Sequence, residues 1–227
     1  MPLFSLGWLP ALALASLLHL EPCCAAPAAP LPKLMFWAWE RPEDLRALDP
    51  SRAGVAFLCQ TLFVDAGKVV RYPRRQPLRI PQGCQVVAVT RIEVRSSLVK
   101  AVVPLILEAL TGPILASAQG PVAGIQVDFD ARTSERILYR SLLERLRSRL
   151  PKHMPLSMTA LASWTLGDGW VGGLPVDEIV PMCFRMGSDA GLVRERLGNH
   201  LDFTLPEARK AVGVCGRRQG TLCANDN

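Results

Sequence analysis

Histidine is scarce in this chain. Its 227 residues hold three, His19, His153 and His200, and they form no cluster. No Cys/His spacing resembles a zinc site, so no Cys/His metal site and no cofactor are expected. Basic residues are missing from the start, since no Lys or Arg precedes Lys33. Residues 1–29 therefore lack the positive segment that usually opens a signal peptide. No internal repeat is visible, which excludes a stacked-repeat architecture. Nucleic-acid motifs are absent as well, so the net charge of +6 is not read as a nucleic-acid footprint.

That charge comes mainly from arginine, in residues 71–79 and along 136–152. A basic face can meet acidic polysaccharide or anionic lipid, but a solvated helix face plus a loop is the simpler reading. Residues 3–20 are mostly apolar, and the small-residue run Ala25-Ala26-Pro27-Ala28-Ala29 follows. Together they read as a signal peptide, or as an uncleaved N-terminal anchor about long enough to span a bilayer. Cys23 follows Glu21 and Pro22, where a lipid-attachment site prefers small uncharged residues. The expected location is periplasmic or secreted, with membrane anchoring as the alternative. Of seven cysteines, Cys59 and Cys183 lie in apolar strand patterns and read as small buried hydrophobes. Cys215 and Cys223 sit in a polar tail where they could pair.

After a proline-rich tether at 30–33, strands are expected at 34–39, 55–64, 85–94, 123–130, 156–162 and 178–186, with weaker ones at 68–72 and 210–214. Ala66-Gly67 reads as the turn of a hairpin. Helices are expected at 97–110, kinked by Pro104, at 134–150 with Leu138, Leu142, Leu146 and Leu150 on one stripe, and at 190–197. Strands alternating with helices argue a parallel sheet with helices outside. The fold class expected is α/β, a TIM-barrel-like (β/α) barrel of parallel strands. Its domain, 34–215, is shorter than the about 250 residues of a full barrel, so the barrel is expected to be incomplete or truncated at its C-terminus. Residues 216–227 read as a disordered tail.

Gly124-Ile125-Gln126-Val127-Asp128-Phe129-Asp130 alternates strictly. Successive strand side chains point to opposite faces, so Gln126, Asp128 and Asp130 share one face where a strand gives way to a helix. Ligands in α/β folds bind at that carboxyl end. Two carboxylates there can serve as acid and partner in sugar hydrolysis, at separations of about 5–5.5 Å in retaining enzymes. They can also hold a divalent cation on a phosphate, or be solvated or paired, with Arg91 at hand. Arg91 and Glu93 share a face near the end of their own strand. Trp37, Trp39, Trp164 and Trp170 lie at or beyond strand ends. Trp37 reads as a core cap, whereas Trp164 and Trp170 flank a glycine-rich loop and suit either packing or a sugar face.

The ordered motifs Phe36-Trp37-Ala38-Trp39-Glu40, Val89-Thr90-Arg91-Ile92-Glu93, Ile125 to Asp130, Ser157 to Trp164 and Val180 to Met186 resemble an uncharacterised bacterial family, domain of unknown function 3142. The strand at 123–130 more distantly resembles the fourth-strand signature Gly-x-Asp-x-Asp-x-Glu of chitinase-type glycoside hydrolases. Gly124 and Asp128 match it, Gln126 stands for its first aspartate, and Asp130 stands for its glutamate, one methylene shorter. Met182-Cys183-Phe184 approximates that family's Met-x-Tyr, without the tyrosine hydroxyl. The resemblance implies an exported barrel acting on polysaccharide or oligosaccharide, with Asp128 and Asp130 catalytic. It implies substrate contacts from Trp39, Glu40, Arg91, Glu93, Gln126, Thr159, Trp164, Trp170, Met182 and Phe184. A carbohydrate-binding barrel without chemistry and a metal-dependent transferase are the alternatives.

Overall fold

The computed structural model describes residues 30–96, 103–166, 169–184, 186, 189–199 and 202–214. The leader at 1–29, the tail at 216–227, the Cys215–Cys223 pair, His200 and the start of the helix expected at 97 lie outside them. Among the described residues no helix is long and apolar enough to cross a membrane.

In chain order the elements are β1 (Leu34–Ala38), β2 (Glu43–Asp44), β3 (Ala53–Asp65), β4 (Lys68–Pro73), β5 (Leu78–Arg79), β6 (Val86–Val94), α1 (Val103–Ser117), β7 (Gly124–Asp128), α2 (Arg136–Arg149), β8 (Leu156–Leu161), β9 (Glu178–Met182) and α3 (Ala190–Gly198). Six strands pair in parallel in the order β1-β3-β6-β7-β8-β9. Their spatial order follows the chain, so the sheet winds in one direction as a (β/α) barrel does. One further parallel bridge joins Met182 to Gly213. The two ends of the sheet then meet through side chains: a β-carbon on Gly213 would come within 2.6 Å of the Trp37 ring on β1. Glycine is required at 213 so that the last segment can approach the first strand. The result is an incomplete (β/α) barrel whose seam is closed by an indole rather than by a strand ladder.

The first two crossovers lack the helices of a regular barrel. The chain after β1 enters β2, which pairs with β5 in a separate parallel ribbon. The first part of β3 pairs with β1, and the second part with β4 as an antiparallel hairpin. Ala66 and Gly67 form its turn, both at positive φ (46° and 77°), which gives the right-handed twist of a two-residue hairpin. Within β3 the register to β6 shifts between Leu58 and Gln60. Cys59 is the extra residue, so Leu58 faces the barrel interior beside Val89 while Gln60 faces outward beside Thr90. Gln60 is buried there and donates to Thr90 Oγ1 and to the Pro113 carbonyl of α1, both at 3.0 Å.

The main core lies outside the barrel, between the sheet and the helices. Leu62, Ile92, Ile125, Val127 and Met158 pack against Leu110 and Ile114 of α1 and Leu138, Leu142 and Leu146 of α2. Each such buried leucine contributes on the order of 2 kcal/mol. The stripe expected on α2 is the buried one, and Glu135 reaches back to the Arg132 backbone N–H at 2.8 Å to start the helix. On α1 the expectation needs correction. The described helix passes through Pro113 to end at Ser117 instead of stopping at 110, because Leu110 and Ile114 are both buried on its inner side. Pro104 is the second residue of the described helix, and residues 97–102 before it lie outside those described. The strand expected to reach 186 ends at Met182, and the weak strand at 210–214 is reduced to the bridge at Gly213. Cys59, Cys84 and Cys183 are free thiols, half-buried, and burial pushes each above its ordinary pKa.

Candidate functional site

The interior face of the sheet carries the polar residues, sorted into layers by register. Val89, Gln126, Ser157 and Glu178 form a lower layer. Thr61, Arg91 and Asp128 form the layer above it, at the carboxyl ends of the strands.

The lower layer is a plug. Trp37 Nε1 donates to Gln126 Oε1 at 3.1 Å, and Gln126 Nε2 donates to Ser157 Oγ at 3.1 Å. Gln126 is thereby fully engaged and buried beneath the mouth. The expectation that it touches substrate is replaced by a structural one: an amide in that layer is needed to satisfy an indole inside the barrel.

The upper layer is the candidate site. Thr159 Oγ1 donates to Asp128 Oδ1 at 2.6 Å, and Asp128 is only 7% exposed. A short charge-assisted bond of this kind holds the carboxylate in one orientation. Arg91, the register partner of Asp128, pairs instead with Glu93 of its own strand, Nε to Oε1 at 2.9 Å. Both partners of that ion pair are partly open to solvent. Asp130, two residues beyond Asp128 and past the end of β7, is exposed. Tyr139 of α2 lies below this turn and donates to the Val127 carbonyl at 3.2 Å. Burial, then the charges of Asp128 and Asp130, push its phenol well above its ordinary pKa. Tyr139 is therefore a neutral donor that steadies the strand end.

Trp164 and Trp170 do not reach the mouth. After Leu161 the chain enters a 3₁₀ turn, Ala162–Thr165, which swings Trp164 to the helix side, where it is 5% exposed. Trp164 and Trp170 meet edge to face at 4.9 Å, and Trp170 continues to Tyr139 at 6.0 Å. The Arg136 guanidinium lies 5.1 Å over the Trp170 ring, and Arg140 holds the Trp170 carbonyl at 2.9 Å. The expected sugar platforms are thus part of the outer core. The aromatic surface at the mouth comes from the seam: Trp39 stands 6.2 Å from Trp37, and Phe184, 37% exposed, packs edge-on to Trp37 at 5.8 Å. Met182 is buried beside Leu161 and Gly213 and forms part of the seam wall.

Glu40 is exposed at the end of β1 and lines a cavity of about 330 Å³ with Leu58, Thr61, Phe63, Tyr72, Pro73, Arg74 and Arg95. Thr61 and Phe63 are the register partners of Arg91 and Glu93, so this cavity continues the cleft toward the β3–β4 hairpin. The sequence reading passed over Phe63, Tyr72 and Arg95. The alternation of the hairpin was visible, but nothing in it showed that the hairpin folds beside the mouth. Among the described residues no group of three or more His, Cys, Asp or Glu side chains is placed to hold a metal ion.

No family model matches the chain, and no curated protein matches it. Among solved structures it is similar to the spore cortex-lytic enzyme SleL of Bacillus cereus, at 17% identity and a TM-score of 0.46, over 68% of this chain and 43% of that one. It is similar to a family GH18 chitinase of Chromobacterium violaceum at 11% identity and a TM-score of 0.45, over 68% of this chain and 50% of that one. The chitinase domain of the spore coat protein CotE of Clostridium difficile is similar at 12% identity and 0.47, over 86% of this chain and 68% of that domain's chain. The chain spans half or less of the length of the first two.

Proposed function

We propose that this chain is an exported, glycoside-hydrolase-like barrel protein that acts on an envelope or extracellular polysaccharide, related to the uncharacterised family its motifs resemble and more distantly to chitinase-type glycoside hydrolases. One observation carries the reading. A buried carboxylate fixed by a hydroxyl, Asp128 with Thr159, sits on the open interior face at the carboxyl end of the strands, two residues from the exposed Asp130. In hydrolysis, Asp130 gives its proton to the glycosidic oxygen as that bond breaks. Asp128 stabilises the positive charge that develops on the sugar ring, either as a fixed anion or by bonding to the anomeric carbon, and water completes the exchange. Arg91 and Glu93 border the cleft, while Trp39 and Phe184 offer the sugar-facing aromatic surface.

A binding protein that keeps the cleft without the chemistry is the second reading. It is favoured by the exposed Phe184 beside Trp37 at the seam, an aromatic surface that suits a sugar face and calls on no acid. The test is reducing-end release by the mature protein from a panel of envelope polysaccharides, run beside Asp130→Asn. Release by the wild type and none by the variant supports hydrolysis with Asp130 as acid. No release from any polymer, with a cooperative unfolding transition proving the sample folded, moves the reading to binding alone.

A further inference from the structure

The cavity beside the β3–β4 hairpin has a charge and shape that the catalytic reading does not use. Its aromatic side is built from Phe63 and Tyr72, which meet edge to face at 5.1 Å, and Tyr72 is 51% exposed. An indifferent surface strand would not gain from so large an exposed ring, whereas a ring beside a cavity suits the apolar face of a sugar.

The charges around the cavity do not cancel. Arg74 is spent on backbone: it donates to the carbonyls of Ala38, Trp39, Arg41 and Gln76, clamping the chain that leaves β1. Burial lowers the Arg74 pKa, against the opposing charges of Glu43 and Glu40, so Arg74 faces the acidic side of the pocket. Arg91 and Glu93 neutralise each other. That leaves Arg95. Its guanidinium lies 3.7 Å over the Phe63 ring, and among the described residues no carboxylate pairs with it. Stacking holds the group in place through its face, leaving its N–H edge for an outside acceptor.

We propose that this cavity is a saccharide subsite selective for an acidic sugar, with Tyr72 as the ring platform and Arg95 as the partner of a uronate-type carboxylate. The inference rests on the polysaccharide reading above and names the substrate class that reading leaves open. A guanidinium matches a carboxylate in a planar, two-bond geometry, and a cation fixed over an aromatic ring has little ordering left to lose on binding. The subsite lies one strand from Arg91 and two from Asp128 along the same sheet face, so it would hold a residue of the polymer next to the one at the carboxylates.

The experiment is calorimetric titration of the full chain with oligogalacturonate, oligomannuronate and hyaluronan fragments. Each is paired with its carboxyl-reduced, neutral counterpart, at two salt concentrations. At least one acidic oligomer is expected to bind tenfold or more tighter than its neutral counterpart, with the difference shrinking at high salt. Arg95→Met should abolish that difference while leaving the neutral oligomer's affinity within about twofold. Tyr72→Ala should weaken acidic and neutral forms alike. Both positions are exposed on or beside the hairpin, and unchanged thermal transitions would certify the variants. Equal affinity for acidic and neutral oligomers, or a preference that survives Arg95→Met, overturns the acidic subsite and leaves the polysaccharide reading intact. Failure of every acidic and neutral oligomer to bind overturns the acidic subsite, and the polysaccharide reading falls with it only if the envelope-polysaccharide panel also shows neither release nor binding.

Discussion

The indole N–H of Trp37 on the first strand donates to the amide oxygen of Gln126 on the fourth parallel strand, 3.1 Å away across the inside of the barrel. Gln126 passes the link to Ser157 on the next strand. The same indole covers Gly213 and meets Phe184. A single residue therefore ties the opening strand to the far wall and to the closing segment. This is how a barrel without a full set of strands keeps its interior filled.

Gln126→Leu should remove that link without emptying the volume. It leaves the Trp37 N–H without its acceptor, at about 1–3 kcal/mol, while the Ser157 hydroxyl keeps its own bond to the Ile125 carbonyl. A loss of about 1–3 kcal/mol is expected in urea unfolding with an unchanged slope. A loss under about 0.5 kcal/mol would show that the amide does not hold the seam.

Trp164→Ala should act on stability and not on sugar recognition. The ring is buried against Trp170 and the outer core, and truncating such a residue costs about 3–5 kcal/mol. Trp164→Phe should cost less and leave saccharide affinity unchanged. A large drop in affinity for a folded Trp164→Phe variant would return this residue to the site.

Much of the site could be read from alternation. Ile125 and Val127 face the helices while Gln126 and Asp128 face inward, as their spacing requires, and Arg91 shares its face with Glu93. Depth was not legible. Nothing local distinguishes Gln126, which is sealed in the plug, from Asp128 one layer higher, because depth depends on the stagger between strands. Trp164 stayed open between packing and a sugar face, because a short 3₁₀ turn, with no strong signal of its own, decides which side a residue faces just beyond a strand. The bulge at Cys59 was hidden for a similar reason. Phe57, Leu58 and Cys59 are all apolar, so nothing before Gln60 marks where the one-residue shift falls. The missing outer helices after β1 and β3 were foreshadowed only by the hairpin at Ala66-Gly67.

That hairpin supplies a stabilising substitution. Ala66 holds φ at 46°, a left-handed conformation that costs alanine about 1 kcal/mol and that asparagine tolerates better. Ala66→Asn should raise stability by about 0.5–1 kcal/mol, visible as a higher urea midpoint. Ala66→Val should lower it, since branching at Cβ is poorly tolerated at positive φ.

Glu178 makes stability depend on pH. Burial raises its pKa above the ordinary 4.5, with Asp177 adding to the rise and Lys210 opposing it. Between 4.5 and the raised value the folded chain holds more protons than the unfolded one. This group's contribution is therefore favourable at low pH and is lost as pH rises through that window. Glu178→Gln should remove the slope and stabilise the fold at neutral pH. Urea midpoints measured from pH 4 to 8 test this, and an unchanged slope in the variant would place the titrating group elsewhere.

Thr159 should matter to turnover more than to binding. Its hydroxyl is buried and donates to Asp128 at 2.6 Å, so it positions the carboxylate without reaching the substrate. Thr159→Val keeps the side-chain shape and deletes the donor, and loss of one such preorganised bond costs about 10²–10³ in kcat. With hydrolysis established on a suitable polymer, kcat should fall by about that factor while KM changes little. Thr159→Ser, which restores the hydroxyl, should recover most of the rate. If the role of Thr159 were only to pack β8, the valine variant would keep its kcat, and serine, which removes a methyl group, would be the more damaging change.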